Sequence, residues 1–454
     1  MREQSFRSSD GLKSIRMNQY LIYFAQAYPN FRIAEIESLA HLYGFSVDLS
    51  NHDENNPFLI VELDNDDQAR KIMERSILAK GIYELWGHGH DLQLLHQDTQ
   101  TRSHHKFDLY KTCSFKFDVV GFMGSRNRQQ KFEMIESFQF LDFKGKVSMK
   151  NPDVIFTILE EYLVDAGQVK ATTPINLWFG RQIQLSARSN GILEKYDLSK
   201  RKYIGTTSFD AELSLISCNI AQVDKFKIVY DPFVGTGSFL VAAANYGGIT
   251  IGSDIDIRSI RGKSDQCNLP ANFKQYGTTL HLIDLLTMDF TNNALNDGLT
   301  IDTIVCDPPY GVREGLKVCG AKNEQKAAGR QNKIIDGEIA YLRRDFIPPK
   351  KPYELSKLLE DLLQFSANRL PIGGRLAFWM PTANDDFTEH IIPQHKQLQL
   401  LYSLEQEFNK WSRRLLVYVK KEEGYIGETS NGLRDHNIKS FRDRYFKSFN
   451  DASR

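Results

Sequence analysis

The sequence predicts an α/β protein whose second half is an open, mostly parallel sheet with helices on both faces, preceded by an α+β region. Three observations carry this. The apolar run Ile228-Val229-Tyr230 leads into a turn holding Gly235 and Gly237, then into the small-residue run Leu240 to Asn245, which reads as strand, tight turn and helix. Gly247-Gly248 ends that helix and Ile249 to Ser253 starts a second strand. Two β-α-β passages occupy the first hundred residues, the pattern of a small ferredoxin-like domain.

Length and composition bound the rest. A chain of 454 residues has room for two to four domains with large cores. The net charge is zero, yet the distribution is uneven. Residues 1–100 hold nine Lys/Arg against fifteen Asp/Glu (−6), residues 113–202 fourteen against ten (+4), and residues 311–351 ten against five (+5). A polyanion is therefore expected to meet the middle of the chain and the segment after Tyr310. The five cysteines form no CxxC pair, which suggests a reducing compartment and no zinc site. Neither a signal-peptide h-region nor a membrane-length apolar run is visible, so a cytoplasmic location away from membranes is expected.

In chain order, residues 1–17 read as a polar tail and residues 18–100 as the ferredoxin-like domain. There Tyr20 to Phe24, Phe58 to Leu63 and Ala79 to Trp86 are strands, and a helix carries Ile33, Ile36, Leu39 and Ala40 on one face. Residues 101–106, with His104-His105, look like a polar linker to a second α+β domain over 107–190. Residues 191–202 form a charged linker, and residues 203–421 the open-sheet domain. In the latter, Arg258 to Gln275 is expected to be helical, Thr278 to Ile283 to be the third strand and Tyr353 to Leu370 an amphipathic helix. Leu398 to Glu407 and Leu415 to Lys421 read as an antiparallel pair joined by Trp411-Ser412-Arg413-Arg414. Residues 311–351 form a long basic insertion, and residues 422–454 a tail.

The chemistry concentrates at one edge of this sheet. The turn Asp231-Pro232-Phe233-Val234-Gly235-Thr236-Gly237 lacks the third glycine of a dinucleotide fingerprint, that position being Leu240, and lacks the Lys-Ser/Thr of a P-loop. It resembles instead the S-adenosyl-L-methionine loop of methyltransferases acting on exocyclic amines. Gly235 and Gly237 allow close approach of backbone to ligand. Asp254, at the tip of the second strand, suits ribose hydroxyls. Asp284, with Asp289 as its competitor, suits the adenine amino group, and Tyr203 to Asp210, including Thr207, lies where the methionine part would be covered. Ile304-Val305 ends at Asp307-Pro308-Pro309-Tyr310. A base amine is a poor nucleophile because its lone pair is delocalised. Asp307 and the Pro308 carbonyl can each accept one N–H and so aim the lone pair, Pro309 fixes the backbone, and Tyr310 offers a face for stacking.

Tyr203-Ile204-Gly205-Thr206-Thr207-Ser208, the two motifs above, Gly252-Ser253-Asp254-Ile255-Asp256, the extension Val312-Arg313-Glu314 and Gly374-Arg375-Leu376-Ala377-Phe378-Trp379 together resemble the catalytic subunits of eukaryotic tRNA (guanine-10-N2)-methyltransferases. The resemblance is close over about 200–420 and looser over 18–190, where the layout is similar to a THUMP domain. It implies a class I Rossmann-like methyltransferase domain over 203–421 behind a THUMP-containing half that grips tRNA. The site it implies has Asp307, Pro308, Pro309 and Tyr310 at the amine, and Thr207, Asp231, Phe233, Gly235, Gly237, Asp254 and Asp284 at the cofactor. It also implies a small zinc-binding activator subunit as partner, and an unguarded edge strand over Thr278 to Ile283 would suit its docking. Two alternatives stand beside this reading: methylation of a protein glutamine, for which Asn usually replaces Asp307, and a non-catalytic RNA-binding subunit.

Overall fold

The computed structural model describes residues 18–163, 173–310, 316–321, 333–343, 346, 348–384, 387–409, 411–422 and 424–425. The Val312-Arg313-Glu314 extension, much of the basic insertion, the amino-terminal tail and nearly all of the carboxyl-terminal one lie outside the described residues. The chain divides into two compact units, Met1–Asn190 and Gly191–Arg454.

The first unit is built on β1 (Asn18–Phe24), α1 (Arg32–Leu42), β2 (Phe58–Leu63), α2 (Asp66–Arg75), β3 (Ala79–Gly89), α3 (Leu92–Tyr110), β4 (Phe115–Phe122), α4 (Arg128–Glu136), β5 (Val154–Tyr162) and β6 (Pro174–Leu185). These strands make one six-stranded sheet in the order β2-β1-β3-β6-β5-β4. The two domains expected from sequence on either side of residue 101 therefore share a continuous sheet through the β3–β6 ladder. The polar linker expected over 101–106 lies inside α3, and His104-His105 with it. The packing explains the misreading. Leu95, Thr99, Ser103 and Phe107 recur every four residues and form the buried stripe of α3. They are small at Thr99 and Ser103 because α3 rides directly on β3. A Cβ on Gly87 would stand 2.0 Å from the Thr99 hydroxyl, and one on Gly89 2.4 Å from the Leu95 nitrogen. A stripe of this kind carries too little apolar signal to register as amphipathic.

The second unit begins with α5 (Ile192–Tyr196), inside the stretch expected to be a linker. Tyr196 is instead buried in a core cluster with Leu240, Leu269 and Phe273, so this stretch belongs to the domain. There follow α6 (Ala211–Ile220), β7 (Ile228–Asp231), α7 (Ser238–Asn245), β8 (Ile249–Asp254), α8 (Ile257–Arg261), α9 (Leu269–Tyr276), β9 (Leu282–Thr287) and β10 (Thr303–Cys306). Then come the short strands β11 (Lys317–Cys319), β12 (Ile334–Ile335), β13 (Glu338–Ile339) and β14 (Lys350–Pro352), the helix α10 (Leu355–Arg369), and the strands β15 (Arg375–Ala383), β16 (Leu398–Glu407) and β17 (Trp411–Lys420).

The main sheet has the order β16-β17-β15-β10-β7-β8-β9. Five strands are parallel, and β17 and β16 close the sheet as an antiparallel pair. Leucines 358, 359, 362 and 363 of α10 pack on one face with Ile304, Cys306, Leu376 and Phe378. Leu240, Val241 and Ala244 of α7 pack with α9 on the other. Both faces of the parallel strands are thus covered, the condition such strands require.

Three expectations shift. The single helix over 258–275 is broken at Gly262, whose φ of +66° and close approach to Cys267 and Asn268 end α8. The third strand starts four residues late, because Thr279–His281 first forms a 3₁₀ turn. Finally, β17 starts at Trp411, so Trp411 to Arg414 belong to the strand and not to a connection.

Candidate active site

The carboxyl ends of β7, β8 and β10 open onto a cavity of about 590 Å³. Crevices of this kind are where open α/β sheets bind ligands, and the volume suits a nucleoside-sized molecule.

Asp231 ends β7 almost fully buried, with Oδ1 accepting the Phe233 N–H at 3.0 Å. Burial pushes its carboxyl well above the usual range, and the nearby carboxylates of Asp254 and Asp307 push the same way. The chain then turns so that Asp254 Oδ2 accepts the Gly235 N–H at 3.0 Å while Oδ1 accepts the Asp256 N–H at 2.8 Å. Asp254 therefore ties the glycine turn to the tip of β8 and still lines the cavity.

The two glycines do different work. Gly235 has φ +49°, and a Cβ there would meet nothing nearer than the Phe233 carbonyl at 3.9 Å, so its open side faces the cavity. Gly237 has φ +80° and does not line the cavity; a Cβ would stand 2.6 Å from Leu269. The ligand approach expected at Gly237 is corrected to a packing requirement between the turn and α9.

Thr206 to Phe209 form one wall. Their loop is held at its root by Tyr203, whose backbone exchanges two 2.8 Å hydrogen bonds with the Asn272 amide and whose hydroxyl donates to the Ser259 carbonyl at 2.8 Å. The Ser208 and Thr236 hydroxyls are 2.7 Å apart, joining this wall to the glycine turn. Phe233 packs edge-on against Phe290 at 5.3 Å, forming an apolar side.

The late start of β9 displaces one expected residue. Asp284 pairs with Ile251 in mid-strand, is exposed and does not line the cavity. The strand end level with Asp254 is Thr287, and Asp289 beyond it lines the cavity in place of Asp284. Asp289 accepts hydrogen bonds from the Thr291 N–H and hydroxyl at 2.9 Å and from the Cys319 N–H of β11 at 2.6 Å.

Asp307, Pro308, Pro309 and Tyr310 complete the lining beside Asp231. Burial raises the Asp307 carboxyl to about 6, opposed by a hydrogen bond donated by the Tyr310 hydroxyl and by the charge of Arg413. The Tyr310 ring thus folds back on the carboxylate three residues earlier.

Sequence reasoning did not single out Phe209, Trp411, Arg413 or the β11 residues Lys317 and Val318, all of which line the cavity. The alternation Trp411, Arg413, Leu415 was the available signal.

The cavity offers carboxylates for amino and hydroxyl groups, an apolar side for a ring and a glycine with open space, so its donors and shape fit S-adenosylmethionine. Comparison with known proteins points the same way. A family model described as the Tmrp11 THUMP N-terminal domain matches residues 18–188, and one described as the RMKL-like methyltransferase domain matches residues 199–325. A tRNA (guanine(10)-N(2))-methyltransferase of Saccharomyces cerevisiae is 55% identical over 441 residues, covering 96% of this chain and 100% of its own. The Homo sapiens protein of that name is 33% identical, covering 95% of this chain and 96% of its own. The Schizosaccharomyces pombe protein is 32% identical, covering 96% and 98%.

Proposed function

Since the chain belongs to the tRNA (guanine(10)-N(2))-methyltransferase family, we propose that it is the catalytic subunit of an enzyme that methylates the exocyclic N2 amine of guanosine 10 in tRNA, using S-adenosylmethionine. The observation that carries the site assignment is the convergence of Asp231, Gly235, Asp254 and Asp307 on one cavity at the sheet's carboxyl edge.

When bound, S-adenosylmethionine supplies an electrophilic methyl on a sulfonium. Asp231, Phe233, Gly235 and Asp254 would hold it together with Thr207 and Asp289. Asp307 accepts one N–H of the target amine and the Pro308 carbonyl the other, which turns the nitrogen lone pair towards the cavity. Held in line, the reaction needs mainly positioning. Asp307 also receives the proton that the methylated amine sheds. Tyr310 first releases Asp307 and then stacks on the base. An Asp307→Ala protein that keeps most of its single-turnover rate on tRNA would remove this role. Mass mapping of position 10 in tRNA from cells lacking the protein tests the activity itself.

The basic middle of the chain serves tRNA binding. Several of its charges are already matched: Arg126 pairs with Glu160, Lys116 with Asp118, and Lys144 with Asp142. Arg128, Lys146 and Lys150 are exposed and have no ion-pair partner among the described residues, so they are available for phosphates.

The small zinc-binding activator docks at the β9 edge. The register found here moves the docking strand from Thr278–Ile283 to Leu282–Thr287, the last strand of the sheet. Leu280 is 94% and Ile283 57% exposed beside it, an apolar edge that invites a partner strand. Leu282, by contrast, packs against the core of the unit. Co-expression of Leu280→Lys with Ile283→Lys is expected to abolish co-purification of the activator, and full recovery would place its site elsewhere. Among the described residues no helix is long and apolar enough to cross a membrane, and a cytoplasmic setting accords with free cysteines and a tRNA substrate.

A further inference from the structure

The Asp-Pro-Pro-Tyr segment recognises an amine, and guanine and adenine both carry one. A second group must therefore distinguish the bases, and Arg413 has the geometry for it. In the β15–β17 ladder Arg413 stands opposite Pro381, at the carboxyl end of β15. Asp307 lies one residue beyond Cys306, which pairs with Phe378 of the same strand. The two side chains thus rise into one cavity from strands on either side of β15. The Arg413 guanidinium lies over the Phe209 ring at 4.2 Å, with Trp379 at 5.1 Å and Phe408 at 5.7 Å, and its Nε donates to Gln406 Oε1 at 2.5 Å. Stacked and tethered in this way, it presents Nη1 and Nη2 as a fixed fork, and no described residue accepts a hydrogen bond from either.

Such a fork fits a phosphate, the cofactor's carboxylate or a base's acceptor edge. Charge decides among them. Four carboxylates (Asp231, Asp254, Asp289 and Asp307) line the cavity against two cations, Lys317 and Arg413. An anionic group on Arg413 would lie close to Asp307, whereas a neutral carbonyl oxygen meets no such repulsion. The hydroxyl-rich wall of Thr206 to Ser208 is the better place for the cofactor's charged end.

We propose that Arg413 is the specificity-determining residue of the site and donates to the C6 carbonyl edge of the target purine, so that a 6-oxopurine is favoured over a base with hydrogen or an amine at C6. This rests on the reading of Asp307 as the acceptor of the target amine. The match is of the kind arginine makes with guanine elsewhere, and discrimination on the order of 10- to 100-fold is expected from it.

The test is a cycle between residue and base. The full-length chain with its activator, as wild type, Arg413→Gln and Arg413→Lys, is assayed for kcat/KM on tRNA carrying guanosine or 2-aminopurine riboside at position 10. 2-Aminopurine keeps the C2 amine and has no oxygen at C6. Wild type is expected to favour guanosine by roughly 10- to 100-fold, and both variants to lose most of that preference by slowing on guanosine far more than on 2-aminopurine. Lysine keeps the charge and loses the fork, so it separates base reading from simple neutralisation of Asp307. Cofactor affinity by calorimetry is expected to be unchanged. Equal losses on both bases, a retained preference in the lysine variant, or weakened cofactor binding would each overturn the assignment. If wild type methylates neither base, the amine-methylation reading falls and takes this inference with it; if wild type methylates guanosine but shows no preference, the inference alone falls.

Discussion

Asp307→Asn separates what the active-site carboxylate does for chemistry from what it does to stability, and the two effects have opposite signs. In the fold this carboxyl titrates at about 6 against an ordinary 3.8, chiefly because burial disfavours its charged form. Above pH 6 it is ionised in both folded and unfolded chains, and the fold bears the cost of that charge. The difference corresponds to about 3 kcal/mol, an upper figure because the cavity admits water. Asparagine keeps the shape and an oxygen for the Tyr310 hydroxyl, and it carries no charge. The variant is therefore expected to be more stable at pH 7.5 by about 1–3 kcal/mol, or roughly 2–6 °C in the melting of the second unit. As pH falls, the wild-type carboxyl takes up its proton in the fold before it does so in the unfolded chain. The advantage of asparagine shrinks by about half at pH 5 and vanishes below pH 3.8. Methyl transfer is expected to fall by about 10²-fold or more, the scale of losing a positioned proton acceptor. Calorimetric melts at pH 7.5 and 5.0 beside single-turnover assays provide the check. A variant less stable than wild type at pH 7.5, or equally stabilised at both pH values, would refute the argument that burial strains this carboxylate.

The glycines of the turn are expected to respond differently to alanine. Gly237→Ala costs about 1–3 kcal/mol of stability, from its positive φ and the approach to Leu269, whereas Gly235→Ala costs less in a melt and more in cofactor affinity by calorimetry. Asp289→Ala is expected to weaken S-adenosylmethionine binding by about 1.5–3 kcal/mol and Asp284→Ala to leave it unchanged; the reverse result would restore the sequence-based assignment. Replacing Arg128, Lys146 and Lys150 with alanine is expected to reduce the slope of log affinity for tRNA against log salt by about two, measured by filter binding, with guanosine specificity intact.

The sheet was legible where sequence marks are strong. Apolar runs, glycine turns and proline pairs located β7, β8 and β10 almost to the residue, because buried parallel strands must be continuously apolar and their tips must turn. The reading failed where tertiary contacts replace hydrophobicity. In α3, glycines in β3 admit a small polar stripe, so residues 101–106 inside a helix of 19 residues resembled a linker. In β9, a 3₁₀ turn consumed the residues expected to begin the strand, which slips by four positions, and the cavity carboxylate is Asp289 in place of Asp284. Register on a half-exposed edge strand is weakly specified by pattern alone, since neither face demands apolar residues throughout.

The same reasoning explains why the amine half of the site was readable and the base-reading half was not. Asp307 to Tyr310 are contiguous, and their rigidity is written in the two prolines. Arg413 is polar, lies beside a second arginine and falls within an apparent connection, so only its alternation with Trp411 and Leu415 distinguishes it from a solvated charge. Its surroundings come from Phe209 before β7, Trp379 in β15, and Gln406 and Phe408 at the end of β16. Arg414, its neighbour, points to the other face and pairs there with Glu405 at 2.7 Å while covering Phe387. Two adjacent arginines on one strand thus take opposite roles by parity alone. Removing one charge at a time, with Arg413→Gln in one protein and Arg414→Gln in another, makes this concrete. The first is expected to alter base preference. The second removes an ion pair held in part-buried surroundings and is expected to lower the melting temperature with base preference unchanged. A loss of preference in Arg414→Gln equal to that in Arg413→Gln would show that positive charge at this edge, and not the side of the strand it occupies, governs the choice of base.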